Sequence, residues 1–224
     1  MSNTATFNTS PNLKLSKKLS FGEEVANSVT HAVGAVAMLV LLPITAVHAN
    51  NGYGMTAAVG MSVFVISLFL MFLSSAIYHA MDYNSPHKMV LRIIDHSMIY
   101  IAIAGSYTPV ALSLVGGWLG YSIIILNGEQ QFLVFSIKSL LKINEKFSLF
   151  LYLMMGWLVI FIIPAIVTKT GPAFWGLMLL EDCHTRLEQL SMLRKKPYFH
   201  MIWHLFIMLA SALQYLGIVY FMLP

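Results

Sequence analysis

Two histidines stand four apart in Phe199-His200-Met201-Ile202-Trp203-His204, at the start of an apolar run that continues to Pro224. On a helix, positions i and i+4 share a face, so both imidazoles can reach one point. Ionisable side chains in a membrane segment are costly and point to function. A third histidine, His79, closes an earlier apolar run, with Ser75 one turn before it on the same face. Asp95 lies near the start of the next run, three residues after Arg92. Three neutral imidazoles with one open position are the ligand set of a catalytic zinc, whose bound water has its pKa lowered to about 7. A neighbouring carboxylate can take that water's proton, and a hydroxyl can bond to the water or the substrate. The pattern nominates His79, His200 and His204 as ligands of Zn2+, Asp95 as general base and Ser75 as a supporting donor. Paired membrane histidines also ligate haem, relay protons or bond to neighbouring helices, and those readings stay open on spacing alone. His96 is an alternative ligand, but it is adjacent to Asp95 and points about 100 degrees away around a helix. His87 reads as a solvated loop residue, and His48 as lying at the opposite membrane face.

The elements that must position these groups follow from composition. Hydrophobic residues make up 58% of the chain, charged residues 10%, and the mean hydropathy is +0.75. A soluble domain needs more polar surface, so a polytopic all-α membrane protein is expected, with membrane lipid and no nucleic acid as its partner. Apolar runs span Ala32 to His48, Met55 to Ala80, Met89 to Val115, Phe147 to Thr168 and His200 to Pro224. Each is near the roughly 20 residues a bilayer crossing needs. Two more are damaged: Trp118 to Leu141 is polar at 127–131, and Pro172 to Leu180 runs into Glu181-Asp182-Cys183-His184-Thr185-Arg186. The expected architecture is a seven-helix bundle, residues 21–224, behind a mobile cytosolic tail, residues 1–20. The polar and basic start of the chain does not read as a signal peptide. The lone Cys183 rules out an internal disulfide.

Lysine and arginine set the expected orientation, since they concentrate on the cytosolic side. With seven crossings and the N-terminus inside, every lysine and arginine except Lys169 falls in the cytosol, and the C-terminus lies outside. The same parity brings His79, Asp95, His200 and His204 to one membrane face, without having used the histidines as input.

Phe21-Gly22-Glu23-Glu24-Val25-Ala26-Asn27-Ser28-Val29-Thr30-His31, the Ser75/His79 pair, Asp95 and the His200/His204 pair occur in that order. Together they resemble the hemolysin III branch of the progestin and adipoQ receptor family, from about Ser20 to the end. The resemblance implies seven helices and a zinc near the cytosolic face on His79, His200 and His204, with Asp95 contacting the metal's water and Ser75 close by. It also implies a bacterial inner-membrane location. The site is similar to that of alkaline ceramidases, which implies hydrolysis of a lipid amide. Bacterial members are named instead for haemolytic, pore-forming activity, and a receptor or membrane-homeostasis role with structural zinc is a third reading. Glu24, Asn27 and His31 match the family's first motif; an interfacial helix with a capped start would account for it structurally.

The chain departs from that pattern in its fourth and sixth helices, interrupted by polar residues at 127–131 and 181–191. Read one frame over, permitted codons for Asn127 to Phe135 spell W-G-A-T-I-F-G-I, and Glu181 to Leu193 likewise permit an apolar stretch. We read both segments, 127–135 and 181–193, as paired compensating frameshifts; the alternative is native polar residues lining a cavity or interface. Glu129 at mid-bilayer would cost about 2.5 kcal/mol on insertion scales. If the sixth helix fails to cross, His200 and His204 are separated from His79.

Overall fold

The structure, a computed structural model, describes residues 18–140, 159–192 and 196–223, which are helical almost throughout. Residues 1–17 of the expected tail, most of the expected fifth crossing and residues 193–195 lie outside the described residues. The first helix, α1, is Phe21–Tyr53. Ser20 caps it: the Glu23 amide donates to the Ser20 hydroxyl, and Ser20 N–H donates back to the Glu23 carboxylate. Such a reciprocal pair satisfies two amides that a helix start otherwise leaves bare. At 33 residues the helix is about 50 Å long, more than the roughly 30 Å hydrocarbon layer needs.

Its two faces reverse the pattern of a soluble helix. Val25, Val29, Val33, Val36, Val40, Ile44 and Val47 are exposed at helical spacing, while Asn27, His31 and Thr45 are buried. An apolar exterior around a polar seam suits lipid as the surrounding solvent.

Gly54, at φ 84°, turns the chain into α2, Met55–Ala80. This helix packs on α1 along one side and on α3, Pro86–Pro109, along the other. Small residues let the backbones approach. A Cβ on Gly34 would sit 3.0 Å from the Phe72 ring, and one on Gly60 would sit 2.9 Å from Pro109. Membrane helices lack a hydrophobic drive toward one another, so such contacts supply much of their association. The cap of α3 is Ser85, with Pro86 in the first turn, where a missing N–H costs nothing. His87 therefore sits in the first turn of α3 rather than in a loop, and is exposed. The helix continues through a π-helical turn, Val110–Val115, to Gly116 and Gly117, at φ 68° and 56°.

Then come α4 (Gly117–Leu140), α5 (Val159–Ile166), α6 (Pro172–Met192) and α7 (Phe199–Leu216), the last extended by a π-helical turn, Gly217–Phe221. Residues 127–131 and 181–191 do not break their helices. The interruption is one of polarity, not of backbone. Polarity still matters: among the described residues, four helices are long and apolar enough to cross a membrane, within 21–53, 55–80, 87–115 and 199–221.

The first and last helices run parallel. Glu23 accepts from the Tyr198 amide near their starts, and Thr45 and Tyr215 hydroxyls lie 2.8 Å apart near their ends. The second helix runs back against α1, with the Ser28 hydroxyl donating to the Ala76 carbonyl. One end of the bundle thus gathers the starts of α1, α3 and α7 and the end of α2. Lys169 lies at the other end, its ammonium donating to the Leu114 carbonyl.

Candidate metal centre

His79 reaches the gathered end from the last turn of α2 and is buried. His200 and His204 descend from the first turns of α7. Tyr198, in a left-handed conformation at φ 61°, starts that helix. Its amide is held 3.0 Å from the Glu23 carboxylate, so the strained residue is anchored to α1. The ligand atoms of the three histidines all lie within 4.8 Å of one another. His79 Nε2 and His200 Nε2 are 3.3 Å apart. That is about the separation of two nitrogens bound tetrahedrally to one zinc at roughly 2.0–2.1 Å.

Hydrogen bonds at Nδ1 orient two of the three rings, His79 and His204. His79 Nδ1 lies 2.7 Å from a Glu24 carboxylate oxygen. A carboxylate only accepts, so Nδ1 carries a proton, and in the neutral ring Nε2 presents its lone pair to the cluster. His204 Nδ1 lies 3.2 Å from the Asn27 carbonyl, which fixes the same tautomer. His204 Nε2 is buried, with no hydrogen-bond partner among the described residues. A buried acceptor without a partner is costly, and a cation is a partner that would satisfy it. The donor set and its geometry therefore fit a metal ion.

Asp95, on α3, faces His79 and is hydrogen-bonded to the buried Ser75 hydroxyl. The five residues nominated from spacing thus meet at one end of the bundle. His96 stays outside the three-histidine cluster: it is half exposed, its Nδ1 donates to the Arg92 carbonyl, and the same nitrogen lies 3.5 Å from an Asp95 carboxylate oxygen. His48 lies at the far end against Tyr53 and Tyr220. His184 bonds back to the Leu180 carbonyl on its own helix.

Three residues acquire places that spacing did not assign. His31 stacks on His204, with ring centroids 3.6 Å apart and planes 12° apart. Glu24 joins His79 to Lys88, whose ammonium lies 2.6 Å from the second carboxylate oxygen and also donates to the Met81 carbonyl. Lys88 itself is only 2% exposed, although its charge had counted toward the cytosolic surface. The signal for Glu24 and His31 was present as the i, i+3, i+7 spacing of Glu24, Asn27 and His31.

Among known families, the one described as haemolysin-III related matches residues 19–181, stopping before His200 and His204. The chain is 32% identical over 208 residues to Hemolysin-3 of Bacillus cereus, covering 90% of this chain and 93% of that protein. It is 31% identical to the Hemolysin-3 homolog of Bacillus subtilis (strain 168), covering 89% of this chain and 94% of that one. The human monocyte to macrophage differentiation factor is 27% identical, over 70% of this chain and 67% of its own length. No solved structure matches.

Proposed function

The chain belongs to the haemolysin-III related family of multi-pass membrane proteins, and from that premise we propose that it is a zinc-dependent hydrolase of a membrane lipid's amide bond, working in a bacterial inner membrane. The observation that carries this reading is the three-histidine cluster, with its ligand atoms within 4.8 Å. Zinc supplies Lewis acidity and an acidified water when bound at such a centre. His79, His200 and His204 hold the ion. Asp95 takes a proton as water attacks the lipid carbonyl and returns it to the departing nitrogen. Ser75, through its bond to Asp95, keeps the carboxylate aimed. The helices around the centre present apolar exteriors, so a lipid approaches laterally from the bilayer.

A second reading, lysis by an assembled pore, has in its favour the name of the Bacillus cereus relative. A third makes the ion a structural staple for α2, α3 and α7, contributing folding energy alone. One set of measurements separates the three, on the detergent-purified chain and its His200→Ala, His204→Ala double variant. The hydrolase reading expects about one zinc per chain and release of amine from a lipid amide, both lost in the double variant. Dye leakage from liposomes that survives the double substitution favours the pore. Zinc content and thermal stability falling together, with no turnover in either protein, favours the staple. No zinc in the unsubstituted chain would leave the histidines as packing groups.

A further inference from the structure

The first two turns of α1 carry a polar network that the hydrolytic reading does not use. Both oxygens of Glu24 are engaged, one 2.7 Å from His79 Nδ1 and the other 2.6 Å from Lys88 Nζ. Glu24 is therefore no ligand itself; it touches the centre only through the back of an imidazole. A metal-binding histidine commonly donates its second ring N–H to a carboxylate, which sets the tautomer, holds the ring plane and raises the basicity of the ligating nitrogen. The Asn27 carbonyl does the same for His204 at 3.2 Å. One turn earlier, Glu23 holds the amide of Tyr198, which starts the helix carrying the other two ligands.

We propose that Glu24 is a positioning residue for His79, clamped by Lys88, so that α1 sets the ring orientation of a centre to which it gives no ligand. The proposal rests on the zinc reading above. Lys88 completes the clamp for a physical reason. A carboxylate largely withdrawn from water needs a compensating charge, and the buried ammonium supplies it while its bond to the Met81 carbonyl ties the pair to the end of α2. Charge-assisted bonds of this kind are short and strongly directional. The carboxylate is then fixed on the side of Lys88 and presents its other oxygen to the ring.

The test uses cobalt(II) as a spectroscopic probe and zinc in competition with a chelator, on the full chain in detergent. The proteins are the unsubstituted chain, Glu24→Ala, Glu24→Gln and the His200→Ala, His204→Ala double variant. Expected is tight zinc binding in the unsubstituted chain and none in the double variant. Glu24→Ala should bind roughly 10- to 100-fold more weakly, with an altered cobalt visible spectrum. Glu24→Gln, with a single acceptor oxygen for both Nδ1 and the Lys88 ammonium, should also bind more weakly than the unsubstituted chain. Equal zinc affinity in Glu24→Ala and the unsubstituted chain overturns the clamp and leaves the metal centre standing. So does a Glu24→Gln that binds zinc as tightly as the unsubstituted chain. Failure of the unsubstituted chain to take up cobalt or zinc overturns the centre and the clamp together. Because Glu24→Ala can lose metal simply by misfolding, the 15N-histidine spectrum of the unsubstituted apo chain provides a second readout. A protonated Nδ1 at His79 supports the clamp, and a protonated Nε2 overturns it.

Discussion

At the scale of single residues, the centre separates two jobs that a substitution can tell apart. On the hydrolase reading, the histidines hold a zinc ion and Asp95 transfers protons. Asp95 bonds to Ser75 and faces His79 rather than completing the cluster. Its conversion to asparagine preserves volume and the bond from Ser75 but removes the proton acceptor. On the hydrolase reading, Asp95→Asn keeps its zinc content and loses turnover by roughly 10²–10⁴-fold, the usual contribution of a general base. Metal analysis beside amine release checks this; turnover retained at the parent level would remove Asp95 from the mechanism. His31 does a quieter job. Stacked on His204 and edge-on to Phe72, it limits the movement of the His204 ring from one face.

At the scale of elements, the start of α1 is the organising piece. It is capped by Ser20, anchors Tyr198 through Glu23, and pairs Glu24 with a lysine at the start of α3. Lys88→Met would leave the partly exposed Glu24 beside His79 without its counter-charge. Breaking such a pair costs about 3 kcal/mol or somewhat less here, because the Glu24 side chain keeps partial exposure. A thermal unfolding scan in detergent should show a clear drop in midpoint. An unchanged midpoint would mean that the pair adds nothing to the junction of α1, α2 and α3. A second prediction concerns the α1–α2 contact. Gly34→Leu places a side chain where a Cβ alone already lies 3.0 Å from Phe72. Overpacking of that kind costs about 1–3 kcal/mol. It should lower the same midpoint and, because α1 carries the supports of both His79 and His204, weaken zinc binding as well. A variant with the parent's affinity would show that the end of the bundle tolerates displacement of its middle.

At the scale of the whole molecule, parallel α1 and α7 put the start of one and the end of the other at opposite ends of the bundle. With the lysine and arginine distribution, this leads to the expectation of a cytosolic N-terminus and an exported C-terminus. A reporter fused after Pro224 that is active only outside the cytosol should report activity, and the same reporter before Met1 should not. Activity at both ends or neither would refute the odd number of crossings.

Composition, apolar runs and the basic residues were enough to identify a helical membrane protein. Chain order and i, i+4 spacing were enough to nominate Ser75, His79, Asp95, His200 and His204, because those rules act within a helix and across a known membrane face. Neither rule says which side of a neighbouring helix a ring will meet. The stacking of His31 on His204, the bond from Lys88 to Glu24 and the bond from His79 to Glu24 join residues 55 to 173 positions apart in the chain. Only tertiary packing decides such contacts, since helix rotation and close approach depend on residues such as Gly34 and Gly60 meeting their partners. The hydrogen bonds to Nδ1 of His79 and His204, and with them the nitrogen those two rings offer to a cation, come from the same packing.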